Sequence, residues 1–182
     1  MPDFTLNSGD FIRPWKSPWG AFPARTMKLS TGISSNTIKV GEVVALDTDS
    51  TAYRDCIKPV PQSSNSLNPV AASIVGIANF NSTGMGNQTA QGTQVSVWDA
   101  NPNVEFRART RFGLLNSTIV GTHKELHRDS TLGIVVVNLA TSSLATPANC
   151  VLITGLLDAV GDSGGAVTFK FNQSSNFLAF SR

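Results

Sequence analysis

Charge is what this chain has least of. Its 182 residues carry 14 Lys and Arg against 12 Asp and Glu, and only 14% are charged, where an ordinary soluble protein has about 25%. The formal net charge of +2 is too small to argue for nucleic acid. Arg13, Lys16, Arg25 and Lys28 cluster early, yet Pro and aromatics space them, so they form no basic run. Cysteine is nearly missing too. Cys56 and Cys150 make no disulfide framework, and no CxxC or Cys/His spacing suggests a metal. Both read as small core residues rather than a bridged pair. No apolar segment approaches the roughly 18 residues of a membrane span, and the N-terminus lacks a signal peptide's apolar core. No stretch holds a helical period, and no glycine loop follows a strand and opens a helix as nucleotide binding requires. These absences point away from membrane, nucleic acid, metal and cofactor.

Ser, Thr, Asn and Gly fill the place of the missing charge, which suits a β-rich protein that sits against something. The clearest architecture lies at Gly92–Arg111, GTQVSVWDANPNVEFRARTR. Val95 and Val97 alternate with polar neighbours, Asp-Ala-Asn-Pro-Asn supplies turn chemistry, and Val104, Phe106, Ala108 and Thr110 then alternate with Glu105, Arg107, Arg109 and Arg111. Period-two alternation gives each strand a packed and a polar face, and the two strands read as a β-hairpin. The arginine row is either a solvated face with Glu105 as local partner or a contact surface for another protein, where Arg is enriched.

Residues 1–35 read as an extended arm rather than part of a domain. Pro14, Pro18 and Pro23 stand among Trp15, Trp19 and Phe22; each Pro removes a donor and biases its predecessor toward extended backbone, so neither a helix nor a central strand fits. A merely disordered tail is poor in aromatics. An arm that lays Trp15, Trp19 and Phe22 into a groove, of its own chain or of a neighbour, reconciles the two. The β-domain then spans 36–182. Its expected strands are Val43–Leu46, a strand at AASIVGIANF with a bulge or close backbone approach at Gly76, a buried β-branched run at Ile134–Val137, VLITGLL and AVTFKF, with NFLAF as a last strand or second anchor. Polar loops are expected at 58–69, at STGMGNQTAQGT and at 141–149. The class is all-β, an antiparallel barrel or sandwich with an extended N-terminal arm.

Two motifs invite chemistry. Gly161-Asp162-Ser163-Gly164-Gly165 is similar to the segment around the nucleophilic serine of trypsin-like proteases. That fold places its histidine a whole barrel earlier, whereas His123 and His127 are the only histidines here and Asp129 follows at once. The same five residues also make a tight turn in which Gly supplies positive φ and Asp an Asx bond. His123-Lys124-Glu125-Leu126-His127 could share a metal on a helix, but Lys124 stands where the zinc-protease motif has Glu. The segment reads as an exposed helical turn or loop. No catalytic residue is assigned.

GEVVALDT, IVGIA, VSVW–VEFRARTR, RDSTLGIVVV and VLITGLLDAVGDSGGAVTFKF, in that order over residues 37–172, resemble virion proteins of tailed bacteriophages, most of all small head decoration (cement) proteins. The resemblance implies a non-enzymatic protein on the exterior of the assembled capsid, with the major capsid protein and its own copies as partners, commonly as a homotrimer, and with no cofactor. Trp15, Trp19, Phe22, Arg107, Arg109 and Arg111 are the expected interface. The alternatives are another virion part, of the tail or head fibre, and a trypsin-like endopeptidase.

Overall fold

Two rings of strands, each closed on itself, make up the computed structural model, which describes residues 11–30, 38–47, 56–60, 62–63, 66–67, 74–79, 94–129, 133–140 and 149–172. The strands in chain order are β1 (Arg13–Lys16), β2 (Ala24–Leu29), β3 (Val43–Leu46), β4 (Cys56–Pro59), β5 (Gln62–Ser63), β6 (Ser66–Leu67) and β7 (Ile74–Ala78). They continue with β8 (Gln94–Asp99), β9 (Glu105–Arg111), β10 (His123–Asp129), β11 (Ile134–Asn138), β12 (Val151–Leu156) and β13 (Ala166–Phe171). The first ring runs β2-β4-β3-β7-β8 and closes. The second runs β9-β13-β12-β10-β11 and returns to β9 through a parallel pairing of Val137 with Thr110. The class is all-β, as the alternation and turn chemistry indicate.

The apolar runs are continuous where a strand is covered on both sides. In β3 and β7, Val44 and Val75 line the interior of the first barrel with Met27, Leu29, Ile57 and Val97. Val43, Ala45, Ile74 and Ile77 face the other way, into a core shared with Phe106, Leu126, Val137, Ile153 and Phe169 of the second barrel. Phe106, Phe169 and Phe171 interlock there at centroid separations of 5.3–5.8 Å. A charged clamp joins the barrels as well: Arg128 on β10 donates from Nε to both oxygens of Glu42, at 3.2 and 3.3 Å, and from Nη2 to Oε1. Gly76 makes the close approach its place in a strand implies. A Cβ there would meet the Trp98 carbonyl oxygen at 2.1 Å, and the β3–β7 ladder skips Val75 beside it.

Three expectations change, besides the loop expected at 58–69, where β4 runs to Pro59 and β5 and β6 form a short antiparallel ladder. The stretch read as a hairpin forms both of its strands, but they do not pair with each other. β8 ladders with β2 and β7, and β9 with β1, β13 and β11. Ala100 and Val104, which flank the Asn-Pro-Asn turn, are fully buried between the barrels. Burying both ends of the link splays the strands, so the turn hands the chain from one barrel to the next.

Of the expected arm, residues 1–10 and 31–35 lie outside the described residues, and 11–30 are built into both barrels. β1 adds to the outside of β9, and β2 is a full barrel strand between β8 and β4. The prolines are tolerated because no donor is needed where they sit: Pro14 is on an edge strand, and Pro23 only accepts, from Asp99 N at 2.9 Å. The boundary at 35 therefore cuts through the first barrel.

The third change is His123–Asp129, which is strand β10 rather than a helical turn or loop. Burial alternates from His123 to Leu126 and, after the adjacent buried pair Leu126 and His127, again to Asp129. Partners on both sides, β12 and β11, override a local sequence with no β preference. The loop at STGMGNQTAQGT and the segment NFLAF lie outside the described residues.

Candidate interaction surface

β9 organises the exposed face. At its start, β1 lies antiparallel with Arg13 opposite Arg107 and Lys16 opposite Glu105, and the ladder slips at Trp15. That slip sets the Trp15 ring over the Arg107 guanidinium, 5.6 Å from centroid to carbon, a cation–π contact. The chain then turns at Ser17–Gly20, with Gly20 at φ +71 and Trp19 N donating to Ser17 Oγ at 3.3 Å, and enters β2 through Phe22 and Pro23. Trp15, Trp19 and Phe22 come out on this turn with 40, 58 and 40% of their surface in solvent. Large aromatics held in solvent on hydrogen-bonded backbone mark interaction sites more often than chance surface. The structure thus stacks Trp15 on Arg107 at the start of β9 and leaves Trp19 and Phe22 exposed on the turn that follows.

It does not bring the whole arginine row together. Arg109 reaches Asp158 at 3.2 Å and the Gly164 carbonyl at 3.4 Å. Arg111 pairs with the buried carboxylate of Asp129 and stands 5.8 Å from the Phe112 ring. These acids come from the β12–β13 loop and from the end of β10. The charge that the sequence left facing Glu105 alone is met within the same chain, by residues 49 and 18 positions away.

Gly161–Gly165 is the tight turn. Gly161 and Gly164 have φ of +98 and +76, and Asp162 accepts from Ala159 N at 3.2 Å. Gly165 has no room for a side chain, since its Cβ would lie 2.5 Å from Leu115 Cδ1. Ser163 is exposed and its backbone bridges Leu114. No hydrogen bond joins it to a histidine among the described residues. His127 is buried instead, with Phe112 packed edge-on at 4.7 Å, and burial pushes its imidazole below the usual value. His123 and His127 are four residues apart on an extended strand, about 13 Å, too far to share a metal. No cluster of three or more His, Cys, Asp and Glu among the described residues could hold one. Cys56 and Cys150 are buried and form no disulfide, and burial pushes Cys150 up to about 12.

A second apolar surface escaped the sequence reading. Beyond the end of β9, Phe112, Leu114 and Val160 are 49, 60 and 64% exposed. The loops that carry them are pinned to each other: Leu115 N donates to Asp162 O at 2.9 Å and Gly161 N to Leu115 O at 2.8 Å. Asp158 also accepts from Ala166 N at 2.8 Å. Phe112 has φ +62, rare for a residue with a side chain. In sequence these are single apolar residues in Gly-rich loops with no period, so only the convergence of the two loops reveals them. Compared with known proteins, the chain matches no family model, no curated protein and no solved structure.

Proposed function

We propose that this protein is a non-enzymatic structural part of a phage virion, a head decoration protein that docks on the lattice of the major capsid protein and associates with its own copies. The single observation that carries the reading is the trio Trp15, Trp19 and Phe22, exposed on a turn whose two sides are laddered into different barrels. The sparse charge of the chain and the resemblance of its strand signatures to decoration proteins support it, as do the place of Ser163 on a tight turn and the burial of His127 against Phe112. The mechanism is linkage. A ligand that binds only the assembled lattice stabilises it by RT ln(1 + [L]/Kd), about 2.7 kcal/mol at a hundredfold excess over Kd, at every site occupied.

The test is sedimentation of the purified protein with bare capsids. It pellets with capsids and not without them, and Trp15→Ala with Trp19→Ala weakens pelleting at least tenfold, since buried Trp anchors are worth roughly 2 kcal/mol or more. Association with tails or fibres but not with heads would move it to another part of the virion. Labelling of Ser163 by an active-site serine probe would replace the reading by an endopeptidase.

A further inference from the structure

The two exposed apolar surfaces stand at opposite ends of one strand. Trp15 lies against the start of β9, with Trp19 and Phe22 on the turn that follows it in the chain, and Phe112, Leu114 and Val160 lie beyond its end. From Arg107 to Phe112 is five residues of extended chain, about 16 Å, so the surfaces are separate and face apart along the strand. Each exposes on the order of 300 Å² of apolar side chain, in the range of the largest patch on a typical single chain, which is often functional.

Their chemistry is complementary rather than alike. The first is flat and aromatic, and its rim is basic, with Arg13, Lys16 and Arg107 against Glu105. The second joins Phe112 to the aliphatic Leu114 and Val160, and its rim includes the exposed Asp162, while Arg109 and Arg111 beside it are already paired with Asp158 and Asp129. Both are preformed by hydrogen-bonded turns, so docking orders little that is not already ordered.

We infer that the occupant of each surface is a second copy of this chain, with Leu114 and Val160 of one copy seated on Trp19 and Trp15 of the next. Two different patches meeting make a heterologous, head-to-tail contact, which closes into a ring when the rotation between copies allows it. Burial of both patches and their rims reaches the lower range of standard interfaces, about 1,200 Å² in total. This rests on the proposed function and deepens it by assigning the aromatic trio to the contact between copies, so that losing the trio weakens capsid pelleting by dissolving the oligomer that docks. It is tested on the protein alone, so that failure here and failure to bind capsids are read separately.

The experiment uses Trp19→Asp and Leu114→Asp in the full chain, with mass measured by light scattering after size exclusion and by sedimentation velocity at up to about 100 µM. Both residues are more than half exposed, and unchanged circular dichroism and melting confirm folding. Trp15→Asp and Val160→Asp repeat the test on the neighbouring side chains, should either first variant fold poorly. The wild type is oligomeric and each variant alone is monomeric. An equimolar mixture of the two gives a dimer of twice the chain mass and nothing larger, because one intact aromatic face meets one intact ridge and the remaining faces are dead. A monomeric wild type, any oligomer of either variant alone, or a mixture that stays monomeric overturns the inference; an oligomer of either variant alone would mean that like faces meet like.

Discussion

Removing Arg128 while leaving Glu42 tests how the two barrels are held as one body. Glu42 is buried, with 4% of its side chain in solvent, and Arg128 retains 24%. Breaking a buried pair from one side leaves an uncompensated charge and costs about 3–5 kcal/mol; the partial exposure of Arg128 argues for about 3 kcal/mol. For a chain of this size each kcal/mol moves Tm by about 2–4 °C, so Arg128→Met should melt about 9 °C lower. Glu42→Gln combined with Arg128→Met removes both charges and leaves one imperfectly satisfied amide, worth about 1 kcal/mol. The double variant should therefore be more stable than the single one. The pH dependence follows from Glu42. Burial raises its carboxyl above 4.5, against the lowering effect of Arg128. A raised carboxyl means that the folded state holds the proton more tightly than the unfolded one, so its contribution is present below 4.5 and lost as pH climbs through the folded value. Without Arg128 that value rises further. The deficit of Arg128→Met against wild type should thus be small near pH 4.5 and largest above neutrality. Urea titrations of the three proteins at both ends of this range, followed by tryptophan fluorescence, measure it. A deficit under 1 kcal/mol at pH 7.5, a deficit flat with pH, or a double variant no better than the single would refute the reasoning.

Two further outcomes follow from backbone geometry. Gly76→Ala should destabilise by several kcal/mol or abolish folding, because its Cβ would sit 2.1 Å from a backbone oxygen that cannot move without breaking the β7–β8 ladder; soluble expression and melting of this variant decide it. At the Gly161–Gly165 turn, Gly164→Val should cost about 1–3 kcal/mol for a β-branched side chain at φ +76, and Gly165→Val a similar amount or more by collision with Leu115. Ser163→Ala should stay within about 0.5 kcal/mol of wild type in the same denaturation assay.

What the sequence revealed depended on whether a signal was local. Val43–Leu46 and Ala166–Phe171 have the bounds that their apolar runs mark, and the Ile134–Val137 run falls inside β11, because burial on both faces leaves an unbroken run between turns. Gly76 was legible for a related reason, since a lone glycine in a strand implies a bulge or a near neighbour. The partner of a strand is not local. Alternation in β8 and β9 reports one buried face each and is silent on which ladder covers the edges, so proximity in sequence suggested a hairpin that the buried Ala100 and Val104 prevent. Proline density misled about 11–30 in the same way. It excludes a continuous helix, yet at an edge strand and at an acceptor-only position it is compatible with sheet. Of the interaction surface, Trp15, Trp19 and Phe22 stood out through composition. Leu114 and Val160 did not, because their neighbourhood is made by two loops 46 positions apart in sequence.

The deeper feature hidden from the sequence is that the two barrels repeat one plan. In each, the first strand pairs in parallel with the third and antiparallel with the fifth, and the second lies between the third and the fourth. In each, the fourth strand is bulged at the residue before a glycine, Val75 in one and Thr154 in the other, although against different neighbours. The one evident sequence echo, Phe22-Pro-Ala-Arg-Thr26 and Phe106-Arg-Ala-Arg-Thr110, does not reflect this plan. Thr26 is exposed on β2, whereas Thr110 is buried on β9, and a shift of one residue turns every side chain to the other face. Repetition does bear on assembly. The plan brings the first and the fourth interstrand connections together at one end of each barrel: Gly41 N meets Ala78 O at 2.9 Å in the first, and Leu115 N meets Asp162 O at 2.9 Å in the second. Among the described residues only the second barrel's end carries exposed large apolar side chains, Leu114 and Val160. Among the described residues, then, the apolar ridge distinguishes one barrel end from the other, and a single docking place is what a head-to-tail contact requires.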